Sequence, residues 1–290
     1  MRRDSYRSWA AVVLAVIAAA DACLVGGPAA MAQAPAAGAV ASNVQAPAAP
    51  VQPATNEHPL APALRIAYDG VARIDRDVKD YSCTLVKREQ IDGVVGEHQY
   101  IFCKIRHKPF SVYMYFLGPD DIKGREVIYV EGANDGKLLA HEEQGFRARF
   151  GTVALLPNSF LAMKGQRYPI TMTGIQVMIR RLAEVAEKDS KFGECDVKFY
   201  QGAKINGRVC TCIQVTHPVP RRQFEFHLAR VFIDDELQVP ARYEAYEWPK
   251  QPGGPPLLLE EYTYLNMKLN NGFTDADFDK HNPTYKFIRK

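Results

Sequence analysis

The sequence predicts an α+β domain, a strongly curved antiparallel sheet with helices packed against one of its sides. Three observations predict it. Strand-like runs follow one another with hairpin-type turns between them, two amphipathic helical stretches interrupt the series, and several strands are apolar on both faces. Roughly ten strands are expected, which requires strong curvature or partial closure.

The first helix rests on Leu64, Ala67, Tyr68, Val71, Ile74 and Val78, spaced by three and four with charges opposite. Strands at 81–89 and 97–106 form a hairpin about Asp92-Gly93. Strands at 111–117, 125–131 and 137–142 follow, divided by Gly-Pro, Lys-Gly and Asn-Asp-Gly turns. A short helical turn is placed at 157–163. A second amphipathic helix starts near Thr173, uses Ile175, Met178, Ile179, Leu182 and Val185, and ends near Asp189. Strands resume at 192–200, 208–217, 223–234, 240–248 and 256–269. Thr274 and Asp277 have the spacing of a helix cap and its third residue, and Asn282-Pro283 ends that turn.

Three segments divide the 290 residues. Residues 1–32 carry Arg2, Arg3 and Arg7 ahead of an apolar run from Trp9 to Ala20, the layout of a secretory signal and too short to span a bilayer. Cleavage is expected after Ala32, with Ala22 as the other small-residue site; Ala20 makes a poor lipobox for Cys23. Residues 33–62 are rich in Ala and Pro and form a linker or tether. Residues 63–290 form the domain. The net charge is +3, with basic and acidic residues interspersed, which argues against nucleic acid as a partner.

Five cysteines follow the leader: Cys83, Cys103, Cys195, Cys210 and Cys212. An odd number leaves one thiol unpaired in an exported chain. Cys83 and Cys103 lie on consecutive strands, opposite one another if the hairpin loop has an odd length and on opposite faces if it has an even one. Cys195 falls out of disulfide reach of Cys212, and Cys210-x-Cys212 with His217 offers too few ligands for a convincing metal site. No phosphate-loop, Rossmann or Gly-x-Ser-x-Gly pattern occurs, so neither a cofactor nor an enzymatic activity is expected.

In the strand at 111–117, Val112, Met114 and Phe116 point one way while Tyr113, Tyr115 and Leu117 point the other, so both faces must be covered. Either helices and loops cover the two sides, or an apolar cavity lies between sheet and helices, with Met163, Met172 and Met178 as an adaptable lining.

The elements Glu261-Tyr262-Thr263-Tyr264, Asp277-Phe278-Asp279 and Asn282-Pro283-Thr284-Tyr285 closely resemble the closing segment of DUF1571, a bacterial envelope family. Shorter matches lie at Tyr168-Pro169-Ile170-Thr171, Arg230 to Asp234 and Pro240 to Tyr243. That family is similar to the LolA/LolB lipoprotein carriers. The resemblance implies a half-barrel whose concave face is covered by helices, in the periplasm or cell envelope, and it carries over no catalytic residue. The expected function is non-covalent holding of a lipid acyl chain or lipoprotein anchor by Tyr100, Phe102, Tyr113, Tyr115, Ile175, Met178 and Ile179. Peripheral association with an envelope membrane is a further expectation. Two rivals are a closed interaction module and a hydrolase built on Asp277 and His281.

Overall fold

Twelve strands join into one antiparallel sheet in a computed structural model that describes residues 57–287. The predicted leader and most of the predicted linker lie outside the described residues. Helix α1 (Ala61–Asp77) precedes the sheet and has a proline in its first turn, where a missing N–H breaks no helical hydrogen bond. A meander follows: β1 (Asp80–Ile91), β2 (Val94–Val95), β3 (Gln99–Arg106), β4 (Ser111–Gly118), β5 (Glu126–Val130), β6 (Leu138–His141) and β7 (Thr152–Leu155). Helices α2 (Phe160–Met163) and α3 (Ile175–Asp189) separate it from a second meander. That consists of β8 (Asp196–Ile205), β9 (Arg208–Thr216), β10 (Leu228–Asp234), β11 (Pro240–Glu247) and β12 (Leu257–Leu269).

The strand order is β7-β6-β5-β4-β3-β1-β12-β11-β10-β9-β8, with β2 paired to β1 alone. The two meanders are thus fused by their first and last strands, Tyr81 opposite Leu269 at one end and Glu89 opposite Glu260 at the other. The result is the α+β half-barrel with helices on the concave face. Two strands escape the sequence pattern: β2, whose two residues cannot show an alternation, and the edge strand β7, whose burial does not alternate between core and solvent.

The hairpin settles the Cys83–Cys103 geometry. Its turn is the two-residue Asp92-Gly93, with φ of 52° and 80°, a geometry that by itself would place the cysteines on opposite faces. The pairing slips by one residue between Gln90 opposite Val95 and Lys87 opposite Gln99. Cys83 therefore faces Cys103 directly. Both are free, buried thiols, as are Cys195, Cys210 and Cys212. Burial pushes the thiols of Cys195 and Cys210 up to about 11 and that of Cys212 up to about 12, so they behave as small hydrophobes.

On the concave face, Ile74 and Val78 of α1 and Ile175 and Ile179 of α3 close over Tyr81, Cys83, Leu85, Ile101, Ile105, Val112 and Met114. The other face of β3 to β6 is covered by the C-terminal tail. Phe278 and Phe287 bury against Tyr113, Ile128 and Leu139, with Phe102, Tyr115 and Tyr285 packed around them. Tyr285 stacks on Tyr113 at 3.9 Å, and Lys104 pairs with Asp277 at 2.8 Å. Glu126 accepts from the Lys286 backbone N–H (2.7 Å) and the Tyr113 hydroxyl (3.1 Å). Thr274 and Asp277 form the expected capping box.

A buried pair sits where α3 ends. Asp189 Oδ2 lies 3.4 Å from His217 Nε2. His217 Nδ1 is 3.1 Å from the Phe226 carbonyl, to which it donates, and its ring stacks on Phe224. Burial raises the Asp189 carboxyl to about 6 and lowers His217. Between the unfolded carboxylate value, about 4, and about 6, the folded state holds the additional proton, so Asp189 makes stability rise as pH falls. His217 opposes this, since its lowered value makes the unfolded chain take up the proton first. Asp189→Asn removes the carboxylate contribution. It should stabilise the domain by about 2 kcal/mol near pH 7.5 and by much less near pH 4.5. Thermal unfolding of both proteins at the two pH values checks this; equal differences would show that Asp189 is not the titrating group.

Candidate ligand-binding cavity

The concave sheet face and its cover enclose a cavity of about 1050 Å³. Its floor follows from strand parity. Leu85, Lys87 and Glu89 of β1, Gln99 and Ile101 of β3, Met114 and Phe116 of β4 and Val127 of β5 all point inward. On the other side of β1, the floor continues through Glu260, Tyr262 and Tyr264 of β12 and Tyr243 and Ala245 of β11. Val177, Met178, Leu182 and Val185 of α3 roof it, and Met172, Leu161 and Phe150 of the preceding segment extend the cover.

Gly174 fixes where that roof begins. It has φ 109° and ψ 162°, a region only glycine occupies readily, and it precedes the first residue of α3. The Ile175 N–H donates to the Tyr81 hydroxyl at 2.9 Å, so a buried sheet residue accepts one of the helix's free N-terminal donors. Among the described residues, Ser159 caps α2 in the ordinary way, accepting from the Ala162 N–H at 3.4 Å.

One end of the cavity is polar. Lys87 pairs with Glu89 at 3.0 Å and also donates to Gln166. Glu89 accepts from the Tyr262 hydroxyl at 2.6 Å and from the Arg167 backbone N–H at 3.1 Å. Glu260 accepts from Tyr168 at 3.2 Å and faces Arg167 Nε at 2.9 Å. That Nε contact is ionic only, since its N–H makes no hydrogen bond. Two carboxylates meet two cations here, so the cluster is formally neutral. Burial nonetheless raises Glu260 above the usual carboxylate range, against the pull of Arg167, and drives Tyr262 far above the ordinary phenol.

Of the residues expected to line a ligand site, Met178 lies in the cavity wall. Ile175 and Ile179 sit on the neighbouring stripe of α3 and are buried against the sheet. Phe102, Tyr113 and Tyr115 have the opposite strand parity and pack with the C-terminal tail, and Tyr100 shares that parity. Strand periodicity separates the faces but does not say which is concave. Met172 lines the cavity as an adaptable side chain, whereas Met163 is not among its lining residues.

Lys87, Glu89, Arg167 and Glu260 were not anticipated. The available signal was their parity: Lys87 and Glu89 share that of Cys83 and Leu85, charged groups on a buried stripe. Asp277 and His281 are elsewhere. Asp277 holds Lys104 and its own helix turn, and His281 pairs with Asp279 at 2.8 Å.

The family description "Protein of unknown function (DUF1571)" matches residues 78–287. The chain belongs to DUF1571. Its closing signature divides between the two sheet faces: Tyr262 and Tyr264 look into the cavity, while Glu261 and Thr263 bond Arg242 on the other side. No curated protein matches this DUF1571 chain. Among solved structures, it is similar to a putative outer membrane lipoprotein-sorting protein domain from Vibrio parahaemolyticus. The identity is 12% and the TM-score 0.35, over 75% of this chain and 96% of that one. It is also similar to lipoprotein LppX of Mycobacterium tuberculosis, with 13% identity and TM-score 0.42 over 76% and 100% of the two chains. A LolA superfamily protein from Nitrosomonas europaea gives 10% identity and TM-score 0.31 over 75% and 97%.

Proposed function

We propose that this protein carries an amphiphile of the cell envelope, with a lipid acyl chain or lipoprotein anchor held non-covalently in the cavity. The observation that supports this reading is the hollow itself: about 1050 Å³, at the upper end of ordinary ligand sites, with a mainly apolar wall. Each methylene moved from water into that wall contributes about 0.8 kcal/mol, so a long chain binds without any charged contact. The polar head would lie against Lys87, Glu89, Arg167 and Glu260 at the polar end of the cavity. Because that cluster is formally neutral, an uncharged or zwitterionic head suits it better than a strongly charged one. No proton transfer or bond cleavage is assigned, and the role is binding rather than catalysis. Export to the envelope, directed by residues 1–32, completes the reading.

Ala245 lines the cavity floor, packed among Val185, Phe226, Tyr243 and Leu259, so a ring placed there has to take its space from the hollow. Ala245→Phe is expected to weaken uptake of a fluorescent long-chain fatty acid on the order of tenfold while the domain stays folded. Native mass spectrometry of gently purified protein should show a co-purified lipid in the wild type. Equal probe affinity in both proteins, together with a bare mass for the wild type, would overturn the carrier reading. The interaction-module alternative would then stand.

A further inference from the structure

Between Glu143 and Glu184 the sequence has Arg147, Arg149, Lys164, Arg167, Arg180 and Arg181 and no carboxylate. Arg167, Arg180 and Arg181 pair with Glu260, Asp75 and Glu225 from other elements, while Arg149 and Lys164 flank the exposed apolar groups. The same stretch carries Phe146, Phe150, Leu156, Phe160 and Leu161, which stand between 56% and 83% exposed. Such crowding is unusual, because exposed large apolar groups are normally scattered singly, as Ile66, Val94 and Val209 are here. Phe146, Phe150 and Leu161 also belong to the cavity wall, so the patch is the rim of the opening. Phe146 and Phe150 meet edge to face at 5.4 Å, with the Arg149 guanidinium over the Phe146 ring.

We infer that this rim docks on the surface of an anionic lipid bilayer, presenting the cavity mouth to the membrane. Phe146, Phe150, Phe160 and Leu161 stand on two short helical turns either side of the edge strand β7, so side chains rather than that strand's backbone edge form the apolar patch. Exposed aromatic and leucine side chains with Arg149 and Lys164 on the same stretch match the chemistry of the headgroup boundary: rings enter the acyl edge and cations meet lipid phosphates. The inference draws on the carrier reading only for the purpose of docking; the contact itself is measurable without cargo.

The full chain should co-sediment with vesicles of phosphatidylglycerol and phosphatidylcholine more strongly than with phosphatidylcholine alone, and less so as salt rises. The triple substitution Phe146→Ser, Phe150→Ser, Phe160→Ser keeps the same N-terminal segment, so that segment's own affinity is matched. It is expected to lose on the order of tenfold or more in vesicle affinity, with an unchanged melting temperature because the side chains are exposed. Arg149→Glu with Lys164→Glu should remove the preference for phosphatidylglycerol. Equal vesicle binding by wild type and triple variant would overturn the docking surface. So would a wild-type dimer that the triple variant converts to monomer, which would make the rim a contact between copies. A chain that binds vesicles but takes up no fatty-acid probe upholds the rim and defeats the carrier reading; the converse defeats the rim alone.

Discussion

Shortening the chain after Gly272 is expected to abolish cooperative folding, although every strand of the sheet remains. The removed tail carries Phe278 and Phe287, 4% and 3% exposed, along with Tyr285 stacked on Tyr113. Its loss would open the face formed by Phe102, Tyr113, Tyr115, Ile128 and Leu139 to water. It would also leave Glu126 without the Lys286 N–H. Phe278→Ala or Phe287→Ala alone should cost about 3–5 kcal/mol, and two such losses approach the whole stability of an ordinary domain, about 5–15 kcal/mol. Asp279→Ala, at an exposed position whose partner His281 is itself exposed, should change stability by less than about 0.5 kcal/mol. Urea denaturation of the four proteins checks this. An unshifted midpoint in either phenylalanine variant would mean that the tail rests on the sheet without supporting it.

Gly174→Val should destabilise the domain by about 2–5 kcal/mol, from two separate causes. The backbone there, φ 109° and ψ 162°, is one that a β-branched residue adopts only under strain. A Cβ at this position would also stand 2.8 Å from the Tyr81 hydroxyl, which is fully buried and accepts the Ile175 N–H. Tyr81→Phe alone leaves that N–H without its acceptor and should cost about 1–3 kcal/mol. Combining the two removes the collision, so the double variant should lose less than the sum of the single losses. Strict additivity in a double-mutant cycle would show that backbone strain alone accounts for the glycine. Because Gly174 sets the start of the cavity roof, weaker uptake of a fatty-acid probe should accompany the loss of stability.

The two faces of β4 show how far the sequence reaches. Alternation separates Val112, Met114 and Phe116 from Tyr113 and Tyr115, and both sets are covered. Which set looks into a hollow depends on the direction of sheet curvature and on what covers each side. Both arise from contacts distant in sequence: α3 on one face, and on the other a tail roughly 170 residues further along. The aromatic set, richer in large rings, is the natural choice for a ligand wall, yet the tail occupies it. Lys87, Glu89 and Glu260 were hidden for the same reason. A charge on a strand reads as exposed until the neighbouring strand is known, and here that neighbour is the last strand beside the first.

Local chemistry determined the elements of this protein. Apolar spacing set α1 and α3, turn residues set the hairpins, and Thr274 with Asp277 set the closing cap. The closing segment resembles the family whose match spans residues 78–287. Only the tertiary structure decided which face is hollow, that Lys87, Glu89, Arg167 and Glu260 meet at one end of it, and that apolar side chains crowd its rim. The physical reason is range. Helix, strand and cap are settled among residues a few positions apart. A cavity is the space left between surfaces that the β1–β12 pairing and the placement of α3 bring together from opposite ends of the chain.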